Sequence, residues 1–198
     1  MEIDAATLER LLAAADHIAI ENVLGTYCRA IDRLDTGLLK SVYHPDGFDD
    51  HGALKMPAHE FAEHIVEQLR AACSYSMHTV THAVIDIRGD HARSEAYYLG
   101  YHLVEGDPAA VEAFFGADYL AARRAAGQLG GRHEYLCGGR YLDELRKRDG
   151  HWRIQRRKMT NEFAICRPES PPTGGLPTAF RSPGSRDRAD PVYHLALG

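Results

Sequence analysis

The sequence predicts an α+β protein in which helices come first along the chain and long antiparallel strands follow. Three observations support this class. Apolar residues four apart predict helices over residues 6–33 and 57–72. From residue 77 onward, the pattern changes to short-period alternation rich in β-branched and aromatic residues, which is typical of strands. This segregation of helices from strands favours α+β over an alternating α/β fold.

The first third of the chain is predicted to contain three helices. Ile20, Leu24 and Cys28 lie four apart and form one row on the first helix, in which a break is predicted near "AADH". Asp35 is a candidate N-cap for a short second helix, "TGLLKSVY", which the turn sequence "HPDG" would end. Pro57 begins the third helix, because proline is favoured in a first helical turn.

Two long hairpins are predicted for the remainder of the domain. The first joins "MHTVTHAVIDI" to "HARSEAYYLGYHLVE" through "RGD", and the second joins residues 133–148 to 151–165 through Asp-Gly. Residues 107–128 return to helical character and form an insertion. Strict alternation would put Ile85 and Ile87 on the strand face opposite His78, so a β-bulge must intervene if all three face the core.

The composition changes near the C-terminus. Residues 1–166 are predicted to form the folded domain, and residues 167–198 form an arm rich in proline, glycine, serine and arginine. Such a segment cannot build a core of its own. We expect the arm to run along the surface or over a neighbouring subunit.

Bulk properties exclude several classes of function. The net charge of −5 and the lack of a dominant basic patch argue against a nucleic-acid partner. With a mean hydropathy of −0.37 and no long apolar run, the sequence predicts no membrane span. The N-terminus lacks the pattern of a signal peptide. The four cysteines form no C-x-x-C pair, which suggests reduced thiols and a cytoplasmic location.

One residue contradicts the amphipathic pattern of the first helix. The row of Ile20, Leu24 and Cys28 should continue with an apolar residue, but the next member is Asp32. Asp32 is a candidate functional carboxylate. It can also be explained as a cap before the second helix, or as the partner of Arg29 or Arg33.

The order of the motifs resembles a known family. The stretches "YCRAIDRLD", "MHTVTHAVIDIRGDHARSEAYYLGYH" and "GGRYLDELRKRDGHWRIQRR" are similar in content and order to the SnoaL-like branch of the nuclear transport factor 2-like superfamily. This branch includes scytalone dehydratase, hexachlorocyclohexane dehydrochlorinase and bile-acid 7α-dehydratase. The resemblance implies a cone-shaped fold, in which a strongly curved mixed sheet wraps over the three N-terminal helices. It also implies a homodimer or homotrimer.

The resemblance implies a set of site residues. Asp32 and His78 fall on the positions of the family's catalytic pair, and His102 falls on that of a second pocket histidine. Further candidates, for substrate binding, are Tyr27, His51, Tyr141 and Arg157. The activity implied is that of a cofactor-free lyase acting on a small apolar, cyclic or aromatic molecule. In such an enzyme a histidine removes a proton from carbon, while a buried aspartate orients the ring and stabilises the imidazolium.

Other interpretations remain open at this level. An isolated strand histidine such as His78 is more often structural than catalytic. Arg157 lies in "RRK", where some of three consecutive cations must be solvated. The same site chemistry would also suit a polyketide cyclase or isomerase, or a retro-aldol lyase. The fold also hosts ligand-binding or assembly modules without activity, and scaffold subunits of oxygenases.

The twelve histidines make metal binding the natural rival hypothesis. His59 and His64 are five residues apart on a helix and therefore point in different directions. The sequence has no H-E-x-x-H motif and no cysteine–histidine cluster. We therefore predict neither a metal nor a cofactor.

Overall fold

The computed structural model describes residues 3–179 and 181–195. The elements are α1 (Ala5–Asp32), α2 (Thr36–Ser41), β1 (Tyr43–His51), β2 (Leu54–Pro57), α3 (Ala58–Ala72), β3 (Cys73–Arg88), β4 (His91–Val104), α4 (Pro108–Phe115), α5 (Ala117–Ala125), β5 (His133–Arg148), β6 (His151–Pro168) and α6 (Leu176–Ala179), with a 3₁₀ turn at Pro191–Tyr193.

The strands form one six-stranded mixed sheet in the order β2-β1-β6-β5-β4-β3. Neighbouring strands are antiparallel except β1 and β6, which run parallel. The sheet wraps over α1, α2 and α3, and the core lies between these helices and the inner sheet face. The α+β class and the cone-shaped arrangement predicted from the sequence are confirmed.

Three local predictions need correction. The "HPDG" stretch does not form a free turn, because it belongs to β1, whose register with β6 shifts between Tyr43 and Phe48. The first helix runs through "AADH" without a break. The insertion contains two helices rather than one, because Gly116 adopts a φ of +88° that no helix permits.

A bulge in β3 decides which way His78 points. Val80 pairs with Tyr98 and Ala83 pairs with Ala96, so Thr81 and His82 together lie opposite a single residue. The extra residue reverses the alternation. As a result His78 faces inward, as do the isoleucines at 85 and 87, which pack against the core. His82 is exposed. The bulge expected from the sequence is therefore confirmed.

A second bulge, in β6, decides which cation of "RRK" is buried. Leu145 pairs with Ile154, and Glu144 pairs with Arg156, so Gln155 is the additional residue. Without it, the inward row that contains Ile154 would continue with Arg156. The bulge instead turns Arg157 into the core, where it is 2% exposed, and leaves Arg156 and Lys158 exposed.

The C-terminal arm folds back on its own chain, next to the end of α1. Asp190 forms an ion pair with Arg33 at 3.2 Å, and the Tyr193 hydroxyl donates to Asp35 at 3.2 Å. Arg186 donates to Ser76 Oγ at 3.2 Å and thereby reaches the strand that carries His78. Part of the predicted arm, residues 180 and 196–198, lies outside the described residues.

Asp190→Ala should release the arm without unfolding the domain. Asp190 accepts backbone hydrogen bonds from Ser185 and Val192 and pairs with Arg33, so its loss removes both the internal shape of the arm and its anchor. We expect trypsin to cleave after Arg186 about tenfold faster, since a loss of about 1.4 kcal/mol raises the open population tenfold.

The matched control for this experiment is Asp187→Ala. The Asp187 side chain accepts only from Ser185 Oγ and from the backbone N–H of Ala189, both within the arm, and makes no bond to the domain. Equal cleavage rates in the wild-type protein and the Asp190 variant would show that these contacts do not hold the arm in place.

Candidate active site

Asp32 and His78 form a doubly bonded pair. Asp32 ends α1, and its Oδ1 accepts from His78 Nδ1 at 2.7 Å while its Oδ2 accepts from the backbone N–H of His78 at 2.8 Å. The side chains of His78 and Asp32 are 7% and 10% exposed. Because the carboxylate accepts at Nδ1, that nitrogen carries the proton, and Nε2 is left as the basic nitrogen. Asp32 therefore orients His78 and is not a cap for the second helix.

His102 lies against His78 on the neighbouring strand. Their ring centroids are 4.9 Å apart and the rings are nearly perpendicular, at 83°. Burial and the neighbouring His78 ring lower the pKa of His102 to about 3. His102 is therefore neutral near pH 7, and it has no carboxylate partner within the described residues.

A glycine makes room for the two imidazoles. Gly100 pairs with His78 across β3 and β4. A Cβ at this position would lie 3.3 Å from His78 Cδ2, 3.3 Å from His102 Cε1 and 3.2 Å from Cys137 Sγ. These separations are tighter than ordinary van der Waals contacts, so any larger residue would press on both rings.

Arg157 is fixed by an ion pair and by two aromatic rings. Its Nε and Nη2 donate to the two oxygens of Asp143, each at 2.7 Å, and both side chains are fully buried. Its guanidinium lies 4.1 Å from the ring centroids of both Tyr27 and Tyr141. Burial alone would lower the pKa of Arg157, but the charge of Asp143 outweighs this and raises it. Arg157 is therefore a rigid cation.

Several buried polar atoms near these residues have no hydrogen-bond partner in the part of the chain that the structure describes. They are Tyr27 Oη, Tyr98 Oη, His102 Nδ1 and Arg157 Nη1. Leaving such an atom unpaired costs about 1–3 kcal/mol, and native proteins rarely leave several together. Four of the eleven such atoms among the described residues lie here, where each can form a hydrogen bond with water or with a bound polar molecule.

His51 belongs to a second carboxylate–imidazole pair. Its Nδ1 bonds Asp49 Oδ1 at 2.5 Å, and the Tyr43 hydroxyl donates to Asp49 Oδ2 at 2.5 Å. The His51 ring stacks on Phe61 of α3, with centroids 4.6 Å apart. The Tyr141 ring lies 6.3 Å from it.

Aromatic side chains line the interior around these polar groups. Tyr141 stacks on Tyr98 with centroids 4.4 Å apart. Phe114, from the inserted α4, lies 6.1 Å from His102 and 5.4 Å from Tyr135. The insertion therefore contributes a wall on the His102 side of the interior.

The structure brings all seven candidate residues to the inner side of the sheet, and it adds three that the sequence did not indicate. These are Asp143, Asp49 and Tyr98. Asp143 could have been found, because it continues the inward row of Tyr141 and Leu145 on β5, where a carboxylate is out of place. The partnership of Asp49 with His51 follows from their i, i+2 spacing on one strand face.

The described residues include neither a metal-binding cluster nor a membrane-spanning helix. They contain no group of three or more histidine, cysteine, aspartate or glutamate side chains arranged to hold a metal ion. No described helix is long and apolar enough to cross a bilayer.

Comparison with known proteins supports the family resemblance. Residues 13–158 match the model of the SnoaL-like domain. Among curated protein sequences, none matches this chain.

Solved structures with the same fold are distant in sequence. Hexachlorocyclohexane dehydrochlorinase (LinA) type 2 is 17% identical with a TM-score of 0.61, covering 80% of this chain and 91% of its own. The Kfla4162 protein of Kribbella flavida is 19% identical with a TM-score of 0.60, covering 77% and 95%. A protein of Novosphingobium aromaticivorans, provisionally named a scytalone dehydratase, is 15% identical with a TM-score of 0.61, covering 77% and 88%. At such low sequence identities, the structural similarity establishes only that these proteins share the fold.

The buried neutral His102 predicts a specific loss of stability in acid. Its pKa is about 3 in the folded protein, against about 6.5 when unfolded, so the unfolded state binds the extra proton as the pH falls below 6.5. Between pH 7.5 and pH 5, the wild-type protein should lose about 2 kcal/mol of unfolding free energy from this group.

The matched variant is His102→Gln, which cannot take up this proton. Urea unfolding at both pH values should show a smaller loss in the variant than in the wild-type protein. Because the other histidines are unchanged, their contributions cancel in the comparison. Identical losses would show that His102 titrates normally.

Proposed function

Because this chain belongs to the SnoaL-like domain family, we propose that it is a cofactor-free lyase that dehydrates a small cyclic or aromatic molecule. The observation that carries the proposal is the Asp32–His78 pair, with both carboxylate oxygens committed to one histidine. We further propose that the protein acts in the cytoplasm.

His78 is the proposed base. Its Nε2 removes a proton from the carbon next to a carbonyl group, and Asp32 stabilises the imidazolium that forms. A positioned base of this kind contributes roughly 10²–10⁴-fold to the rate. Since only 7% of the His78 side chain is exposed, substrate entry requires a movement of the surrounding segments, among which the arm bonds Ser76 and α4 contacts His102.

The unpartnered polar atoms are the proposed binding groups for the substrate. Proton removal beside a carbonyl places negative charge on the carbonyl oxygen, and fixed donors stabilise that charge. Tyr27 Oη, Tyr98 Oη and Arg157 Nη1 are buried donors of this kind. His102, being neutral, is a hydrogen-bonding group in this mechanism rather than a charged acid.

The aromatic walls favour a flat ring as the substrate. Tyr98, Tyr141, Phe114 and Tyr135 present ring faces and edges to the interior, and such surfaces stack well on cyclic or aromatic molecules. A cyclase, isomerase or retro-aldol reaction would use the same base.

A binding module without turnover is the second candidate function. The fully buried stack of Tyr27, Arg157 and Tyr141 favours it, because side chains occupy that part of the interior.

We propose that the protein forms a homodimer or homotrimer through the outer face of the sheet. Exposed apolar side chains cluster on neighbouring strands there, namely Met77, Tyr97, Leu99, Phe163 and Ile165. Covering such a patch is the usual reason that a curved sheet associates.

The test is the dehydration of 3-hydroxy-1-tetralone, a cyclic β-hydroxy ketone whose elimination product tautomerises to fluorescent 1-naphthol. We expect Asp32→Asn and His78→Gln each to lower kcat/KM at least about a hundredfold, because the base loses its orientation or is removed. Circular dichroism should show that both variants remain folded.

His82→Gln is the matched control. It lies on the same strand but is exposed, beyond the bulge. Its kcat/KM should equal that of the wild-type protein. Wild-type turnover in the Asp32→Asn/His78→Gln double variant would disprove the mechanism, and tight binding of the ketone without any turnover would favour the binding module.

A further inference from the structure

We propose that Arg186 and Ser76 form an anion subsite beside His78, and that the substrate of this site carries a carboxylate on its ring. This inference rests on the proposed function and narrows its class of substrate. It follows from hydrogen-bond donors that the chain leaves unused, from their position beside the two histidines, and from the segment that carries Arg186.

Arg186 is a half-buried cation that forms no ion pair with a carboxylate of the described chain. Its Nη1 donates to the backbone oxygens of Leu69, at 3.3 Å, and of Cys73, while its Nη2 donates to Ser76 Oγ at 3.2 Å. All three acceptors are neutral. Taking a guanidinium out of water without a counter-ion is unfavourable, so an anion bound here would stabilise the docked arm.

Two donors at this place have no acceptor among the described residues. Arg186 Nε is buried and unpartnered. Ser76 is 1% exposed, and its hydroxyl accepts from Arg186 but makes no other hydrogen bond, so its own proton is unused. Nε and Nη2 form the same edge of the guanidinium by which Arg157 holds Asp143. In Arg186 this edge meets only the serine hydroxyl, and a carboxylate is the planar acceptor that fits it.

Ser76 places these donors beside both imidazoles. It lies two residues before His78 on the inner face of β3, about 7 Å along the strand, and it pairs directly with His102 on β4. A bicyclic ring is about as long as the separation between Ser76 and His78. A substrate whose C–H bond meets His78 Nε2 therefore brings a substituent on its far edge to Ser76 and Arg186.

Charge effects agree with this position of Arg186. After burial and the His78 ring, the positive charge of Arg186 also lowers the pKa of His102. Burial lowers the pKa of Arg186 itself, and the charge of Asp32 opposes that shift. Because such effects weaken with distance, the guanidinium lies close to the groups that hold and flank His78.

Arg186 belongs to a segment whose movement would admit the substrate. The arm is held next to the end of α1 by the bonds of Asp190 to Arg33 and of Tyr193 to Asp35. When the arm opens, Arg186 leaves the site, and when it closes on a carboxylate, this cation gains its counter-ion. A carboxylate-bearing substrate therefore favours the closed arm and the exclusion of water from His78.

The first experiment compares rings that differ by one charge. The probes are 3-hydroxy-1-tetralone and its 6- and 7-carboxylates, which give 1-naphthol and the corresponding hydroxynaphthoates. For each variant the measured quantity is the ratio of kcat/KM for a carboxylate probe to that for the neutral probe. In the wild-type protein this ratio should exceed one for at least one carboxylate.

Arg186→Gln should lower that ratio at least about tenfold, since a hydrogen bond between charged groups is lost. Ser76→Ala should lower it in the same direction. Arg181→Gln is the matched control, because it removes the same charge from an exposed position of the same arm. Its ratio should equal that of the wild-type protein.

The second experiment measures binding without turnover. In a His78→Gln background, fluorescence titration gives the Kd of 1-naphthol and those of 5-hydroxy-2-naphthoate and 8-hydroxy-2-naphthoate. Adding Arg186→Gln should raise the Kd of a hydroxynaphthoate at least about tenfold more than that of 1-naphthol.

The outcomes separate this inference from the proposed function. A ratio that Arg186→Gln leaves unchanged, or a wild-type preference for the neutral ketone over both carboxylates, overturns the inference, while the proposed function stands on the loss of turnover in His78→Gln. Turnover that His78→Gln does not slow removes the proposed function, and equal changes in the Kd values would then overturn the anion subsite as well.

Discussion

A carboxylate beneath an apolar sheet must be paired, because an unpaired buried charge costs several kcal/mol. Three aspartates lie inside this cone, each with a side chain at most 10% exposed, and each has a basic partner. The pairs are Asp32 with His78, Asp49 with His51, and Asp143 with Arg157. The rest of the site depends on this constraint. Each pair fixes the direction of a side chain that would otherwise rotate, so the interior presents two imidazoles and one guanidinium in set orientations.

The sheet meets this constraint by departing from regular alternation at two places. In β3 the residues Thr81 and His82 share one partner, and in β6 Gln155 is additional. Each bulge exchanges the inner and outer rows of its strand. Without the first, His78 and the isoleucines that follow it would lie on opposite faces. Without the second, Arg156 rather than Arg157 would face inward. Bulges beside a functional site commonly re-aim a side chain in this way.

The surrounding segments close the interior. The arm places Arg186 on Ser76, two residues from His78, and α4 places Phe114 against His102. Neither segment belongs to the sheet, and both reach the same polar region from outside it. The interior therefore combines fixed charge pairs, unpartnered hydrogen-bonding atoms and aromatic walls.

The sequence by itself determined the class of fold, the two hairpins and the position of the unusual carboxylate. These features are local, since helical periodicity, Asp-Gly at a turn and an aspartate in an apolar row are all visible within about ten residues. Three features were decided by the tertiary structure alone. Asp143 forms an ion pair with Arg157, and the "HPDG" stretch is part of strand β1. The C-terminal arm packs next to the end of α1, beside Asp32. The physical reason is that these outcomes depend on register between distant strands and on which partner a buried charge finds, and neither is encoded in the spacing of neighbouring residues.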